Sequence, residues 1–308
     1  MERVDEILAV SGLVKSYGGK RAVDDLSFVV RRGEVMGLLG PNGAGKTTAI
    51  RIIMGILAAD KGRVTFCFSG NTTAMDKSRI GYLPEERGLY DDARVLDTLM
   101  YLGSLKGMPR AVARRAAMEW LERLELVDYA GQKMEKLSKG MQQKVQFVAA
   151  ILHRPELIML DEPFSGLDPI NQDLFKGIVR ELQDEGLSVL LSAHQMNMVE
   201  ELCDSIFLIG RGRQVLYGSL QSIKDGYREH LVDLRYPRGE DPSFLRLVRG
   251  ARVIGEEPGH ITLGYSGGSI NGLLGDISGG LTILEVTVRK PPLHDIFVDA
   301  VQERGEEA

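Results

Sequence analysis

Cysteine is nearly absent from this 308-residue chain: Cys67 and Cys203 stand far apart and form no CxxC pair. That excludes a disulfide-stapled framework, gives no zinc-site spacing, and fits a reducing compartment. Aromatics are also sparse, at 6% with a single Trp, and nowhere do 18 apolar residues run together. The acidic start MERVDEILAV lacks the apolar stretch of a secretory leader, so any membrane role is expected to come through a partner. Excess positive charge is missing too. The 38 Lys and Arg against 43 Asp and Glu give a net charge of -5, with no local basic patch, so nucleic acid is not an expected partner.

What is present reads as an ordinary globular protein, 44% hydrophobic and 26% charged, long enough for about two domains. Short apolar runs at 35–40 (VMGLLG), 157–163 (LIMLDEP), 188–194 (SVLLSAH) and 205–210 (SIFLIG) predict strands buried on both faces. Helical spacing lies between them, as in Ile50, Ile53, Met54 and Leu57, and in Leu174, Ile178 and Leu182 after an Asp168-Pro169 start. Alternation of this kind predicts an α/β fold with a mostly parallel sheet, whose ligand crevice lies beyond the carboxyl ends of its strands. From about 93 to 150 the pattern is helical throughout, with Val112, Ala116, Trp120 and Leu124 as one apolar face, which predicts a helical insertion. Near residue 226 the rhythm shortens, so domains are expected at 1–225 and 226–308. The second reads as strand 230–236, helix 242–248, strands 252–256 and 260–265, helix 270–277, strand 282–289 and helix 292–304. That is a small α+β, ferredoxin-like order.

The sequence GPNGAGKTT at 40–48 follows a buried strand and opens a helix, matching G-x-x-x-x-G-K-[ST]. Gly40, Pro41, Asn42, Gly43, Ala44 and Gly45 would turn successive backbone N–H groups toward phosphate, at a helix N-terminus that favours negative charge. Lys46 would reach the β and γ phosphates, Thr47 would offer its hydroxyl to Mg2+, and Thr48 would sit near the α phosphate, so ATP or GTP is the implied ligand. The LIMLDEP run delivers Asp161 and Glu162 to a strand end. Asp161 would orient the metal through its water shell, and Glu162 would polarise the attacking water.

A third motif, LSKGMQQK at 137–144, precedes a helix that Ser138 can cap. With the two motifs above, it makes residues 4–222 or so resemble the ATP-binding subunit of the ABC transporter family, whose signature is LSGGQ. Lys139 and Met141 depart from that signature. The resemblance implies a P-loop ABC ATPase fold, with the helical insertion and an antiparallel β subdomain, joined to the small accessory domain. It implies ATP and Mg2+ bound between two protomers set head to tail, the partner being a second copy or a homologous ATPase subunit, with Ser138, Lys139, Gly140 and Met141 facing the ATP on the partner's P-loop. It also implies that Tyr17 stacks on adenine, that the loop at Asp168 crosses between protomers, and that His194 contacts the γ phosphate and helps hold water. Glu85, in IGYLPEERGLY, takes the place of a Gln that binds Mg2+, its added negative charge to be offset by the metal or by nearby Arg87.

The PEERGLY, SKGMQQK and EVTVRKPPLHDIF segments are similar to the sodium-efflux, NatA-like branch of ABC-2 exporters. That branch implies an ATPase on the cytoplasmic face of the membrane, driving separately encoded integral membrane permease subunits. Two other readings stay open: a soluble ABC ATPase acting on ribosomes or DNA, and an ATP-binding regulator without turnover. The tail is expected to serve as a packing or dimerisation appendage, with a regulatory ligand site as the alternative, and nothing in the chain specifies the transported substrate.

Overall fold

A computed structural model describes residues 5–68, 71–73, 75–86 and 88–305, the side chains of 71–73 and 300–305 excepted. Arg87, invoked above beside Glu85, lies outside the described residues. The chain divides into two compact units, Met1–Ser219 and Leu220–Ala308.

The first unit begins with two long strands, β1 (Glu6–Tyr17) and β2 (Lys20–Arg31), joined through Gly18 and Gly19. Every second residue from Leu26 to Val30 is buried, the period a strand with one solvated face requires. After β3 (Val35–Leu39) and α1 (Lys46–Ile53), β4 (Lys61–Phe68) and β5 (Asn71–Thr73) complete an antiparallel sheet of order β2-β1-β4-β5. β6 (Ile80–Leu83), β7 (Leu157–Asp161), β8 (Ser188–Ala193), β9 (Ser205–Gly210) and β10 (Arg213–Ser219) join β3 in a second sheet, of order β10-β9-β3-β8-β7-β6. All its pairings are parallel except that of β9 with β10. One core joins both sheets and α1, with Phe28 meeting Phe207 at 4.7 Å between ring centroids. β3, β7 and β8 are buried at every residue, which explains why they read as unbroken apolar runs.

Register then fixes the position of the chemistry. Leu39 pairs with Ala193 and Asp161 with Ser192, all in parallel, so Gly40, Glu162 and His194 emerge one residue further on at a single sheet edge.

Between β6 and β7 stand α2 (Val95–Leu105), α3 (Arg110–Arg123) and α4 (Lys139–Ile151). Of the expected apolar face, Leu124 at the end of α3 is buried and Ala116 half-buried, but the helix itself buries Ala113, Ala117 and Leu121, while Val112 is exposed and Trp120 half-buried. Close approach explains this. A Cβ at Gly103 of α2 would come within 3.2 Å of the Ala113 Cβ, so the contact selects small side chains over large ones. Trp120 instead lies under the Arg123 guanidinium, 4.8 Å from its ring centroid. α5 (Pro169–Asp184) starts at the Asp168 cap, and α6 (Met196–Leu202) follows β8. α1 stops at Ile53, so Leu57 falls beyond it.

The second unit takes in α7 (Leu220–Gly226), which puts the division of the chain at 219/220 rather than at the expected 225/226. β11 (His230–Arg235), β12 (Ala251–Glu257), β13 (His260–Tyr265) and β14 (Glu285–Arg289) pair antiparallel in the order β12-β13-β11-β14. With α8 (Ile270–Ser278) between β13 and β14, and α9 (Leu293–Gly305) last, the strand order is the one a ferredoxin-like fold has. The expected helix at 242–248 is a 3-10 turn, Ser243–Leu247, burying Leu245 with Leu273 and Ile277.

A half-buried base, His153, lies in the first unit outside the sheet edge. His153, two residues past α4, donates from Nε2 to the Ile80 carbonyl at 3.1 Å, while its Nδ1 is buried without a partner. Burial, with the charge of Lys106, lowers its pKa from 6.5 to about 4. The unfolded chain therefore takes up this proton first as pH falls below 6.5, and stability is lost down to about pH 4. Thermal unfolding between pH 7 and 4.5 should show a smaller decline for His153→Gln than for the wild type. Equal declines would contradict the assignment.

Candidate functional site

The loop 40–45 reaches α1 by a route that only glycine permits at two points. A Cβ on Gly40 would stand 2.3 Å from the Ile209 carbonyl oxygen, and one on Gly45 2.3 Å from that of Ala22. Gly45 also sits at φ 111° as the residue preceding the helix. The backbone thus packs against β2 and β9, and a cleft of about 400 Å³ opens beside it, lined by 42–48, Ala22, Glu85 and Glu162.

Lys46 is 6% exposed, and its ammonium donates to the carbonyls of Gly40 at 2.8 Å and Pro41 at 3.4 Å. It also lies 3.3 Å from Glu162 Oε1. The other oxygen of that carboxylate, Oε2, accepts from His194 Nδ1 at 2.8 Å. Glu162 adopts φ 52°, a left-handed conformation uncommon outside glycine. Its backbone N–H donates to Ser192 Oγ at 2.9 Å, and that hydroxyl donates to Asp161 Oδ1 at 2.6 Å. Thr47 Oγ1 also reaches Asp161 Oδ1, at 3.3 Å. One serine thereby holds the strand end and its first carboxylate together.

Asp161 is 1% exposed, and among the described residues its Oδ2 has no hydrogen-bond partner. Burial pushes its pKa above the ordinary carboxylate value, opposed by the Ser192 and Thr47 hydrogen bonds and reinforced by the negative charges of Glu85 and Glu162. An unpaired carboxylate oxygen beside a threonine hydroxyl and a second carboxylate is a hard-oxygen donor set, which fits Mg2+.

The expected residues fall into two groups. Lys46, with Gly40 and Pro41 as its carbonyl acceptors, is joined with Thr47, Asp161, Glu162 and His194 by the contacts above, and Asn42, Gly43, Ala44, Gly45, Thr48 and Glu85 share the cleft. Tyr17, Ser138, Lys139, Gly140, Met141 and Asp168 do not line it. Tyr17 ends β1 with 51% of its surface exposed. Ser138 caps α4, accepting from the Met141 N–H at 3.3 Å, and Lys139 beside it is exposed. Asp168 caps α5 through the Asn171 N–H at 3.0 Å, a bond that lowers its carboxyl pKa. The sequence reading missed three polar residues. Ser192 is one; the others are Gln143, which donates to the Pro163 carbonyl at 2.6 Å, and Gln146, which donates to the Glu86 carbonyl at 3.3 Å. Their signal was polarity inside an otherwise apolar strand and on the buried face of a helix.

Comparison with known proteins follows the same outline. Residues 23–165 match the family model for ABC transporters. An uncharacterised ABC transporter ATP-binding protein, YhaQ of Bacillus subtilis, is 40% identical over 96% of this chain and 98% of its own length. This chain belongs to the ABC transporter ATP-binding subunits, a family that hydrolyses ATP. The linearmycin resistance ATP-binding protein LnrL of B. subtilis is 31% identical over 95% of the chain and 97% of its own. The ABC transporter ATP-binding protein NatA, also of B. subtilis, is 37% identical over 75% and 92%. A solved ATP-binding subunit of an ABC transporter superposes with a TM-score of 0.65 and 32% identity, over 71% of this chain and 92% of that one.

Ser192→Ala would leave Asp161 Oδ1 short of a donor and the Glu162 N–H without an acceptor, at a cost of about 1–3 kcal/mol. A lowered melting temperature and at least about a tenfold fall in ATP turnover, with nucleotide binding retained, are the expected outcomes. Wild-type turnover would contradict the role given to this hydroxyl.

Proposed function

We propose that this chain is the ATP-hydrolysing subunit of an exporter, working as two copies set head to tail on the cytoplasmic side of separate membrane subunits. The observation that carries the reading is the Lys46–Glu162–His194 cluster at the mouth of the P-loop cleft. Among the described residues no helix is long and apolar enough to cross a membrane, so the membrane path is assigned to partner subunits. Export as the direction draws support from the name of LnrL, a resistance protein's ATP-binding component.

In this scheme the N-terminus of α1 and Lys46 hold the triphosphate, with Thr47, Asp161 and Glu85 as the groups that would hold Mg2+. The metal, when bound, neutralises phosphate charge. Glu162 takes a hydrogen bond from the attacking water as its general base, while His194 orients the Glu162 carboxylate and faces the γ phosphate. Tyr17, exposed at the end of β1, offers its ring to adenine.

Two copies are required because the signature residues stand apart from the cleft of their own chain. Gly140 has no neighbouring atom within 4 Å of where a Cβ would lie, so its own fold does not need a glycine there. An opposing triphosphate does, since close backbone approach to phosphate favours glycine. Ser138 and the exposed Lys139, at the N-terminus of α4, would bring a hydroxyl and positive charge to the partner's γ phosphate. Asp168 would lie across the junction. Closure is favoured by the contacts ATP makes in the closed state, and hydrolysis removes those made through the γ phosphate.

Glu162→Gln should bind ATP normally, lose turnover by about a hundredfold or more, and elute in ATP at twice the mass of one chain. Retained turnover would refute the assignment of Glu162. A persistently single-chain elution profile would refute the two-copy arrangement.

A further inference from the structure

The loop after β6 brings an unbalanced charge into the reaction cleft. Two adjoining recesses, of about 400 and 150 Å³, share Glu85 and Glu162 as lining residues, and the second is also walled by Asp161, Gln143 and Gln146. Among the described residues lining either recess, Glu85, Asp161 and Glu162 are the acids and Lys46 is the sole cation. Lys46 is committed to Glu162 and to two carbonyls. Asp161 has its Oδ1 occupied by Ser192 and Thr47, while its Oδ2, in a side chain 1% exposed, has no partner. Glu85 makes no ion pair within the described residues.

The backbone on both sides of Glu85 is anchored: Leu83 is paired with Leu160 across β6 and β7, and the Glu86 carbonyl accepts from Gln146 on α4. A carboxylate facing a polyphosphate repels it, and the repulsion grows as water is excluded. A divalent cation between them reverses the sign, because both groups are then its ligands. A neutral amide at the same position would supply a donor oxygen without the repulsion.

We infer that Glu85 makes triphosphate binding strongly metal-linked, favouring the metal–nucleotide complex over the free polyanion. The inference rests on the reading of the P-loop cleft as the ATP and Mg2+ site. It adds that this chain tolerates loss of the metal less well than one carrying an amide there would.

The test is isothermal titration of the intact chain with the non-hydrolysable analogue AMP-PNP, in Mg2+ and in EDTA, for the wild type, Glu85→Gln and Glu85→Ala. Glu85 is exposed, so both variants should keep the wild-type melting temperature. The wild type should lose about a hundredfold in affinity on metal removal, and Glu85→Gln at least about tenfold less, through tighter binding in EDTA. Glu85→Ala should show the same gain in EDTA and, lacking a donor oxygen, a weaker response to Mg2+ than Glu85→Gln. The same Mg2+-to-EDTA ratio in the wild type and Glu85→Gln overturns the inference. So does a parallel loss of affinity in both conditions, which is the mark of a merely structural role. Absence of AMP-PNP binding by the wild type in Mg2+ strikes the nucleotide-site reading itself, and the inference falls with it.

Discussion

Everything at the sheet edge depends on one contact, the approach of the Lys46 ammonium to the Glu162 carboxylate. It exists because β3, β8 and β7 are parallel neighbours whose register brings Gly40, His194 and Glu162 out together. A half-buried acid beside a fully buried one is costly unless each has its own partners. Glu162 has Lys46 and His194, while Asp161 has Ser192 and Thr47 on one oxygen alone. That difference separates the two carboxylates. Glu162 has an ion pair with Lys46 at Oε1 and the His194 bond at Oε2, whereas Oδ2 of Asp161 has neither among the described residues.

The same edge also explains why a single chain is, on the reading proposed, half of a reaction centre. α1 supplies its N-terminus and one ammonium to one side of a triphosphate. The corresponding positive pole of α4, with Ser138 and Lys139, belongs to another part of the surface. Gln143 and Gln146 give α4 a mechanical link to the loops that follow β7 and β6, since each donates to a carbonyl there. These two bonds tie α4 to the segments that carry Glu85 and Glu162.

Much of this was legible in the sequence because its signals are local. A P-loop is a short spacing in which glycine at 40 and 45 answers backbone contacts of 2.3 Å, and a DE pair after four apolar residues is a strand end. The Asp168-Pro169 start named α5 to the residue. What could not be read depends on packing between distant segments. The buried face of α3 is chosen by Gly103 on α2, which makes alanines better partners than Val112 or Trp120. Ser192 gains its meaning only from β7 alongside, and the division at 219/220 depends on which unit α7 packs with. Tyr17 shows the opposite case: the residue is recognisable from its motif, yet the folded chain leaves it exposed, apart from the P-loop lining.

The central claim is that the P-loop of one copy and the signature of another form one site. Mixing two inactive chains tests it most directly: Lys46→Ala, with an intact signature, and Ser138→Arg, with an intact P-loop. Hybrid dimers would contain one complete junction, so ATP turnover should rise well above the sum of the separate chains. Turnover that never exceeds that sum at any mixing ratio would contradict a site shared between copies.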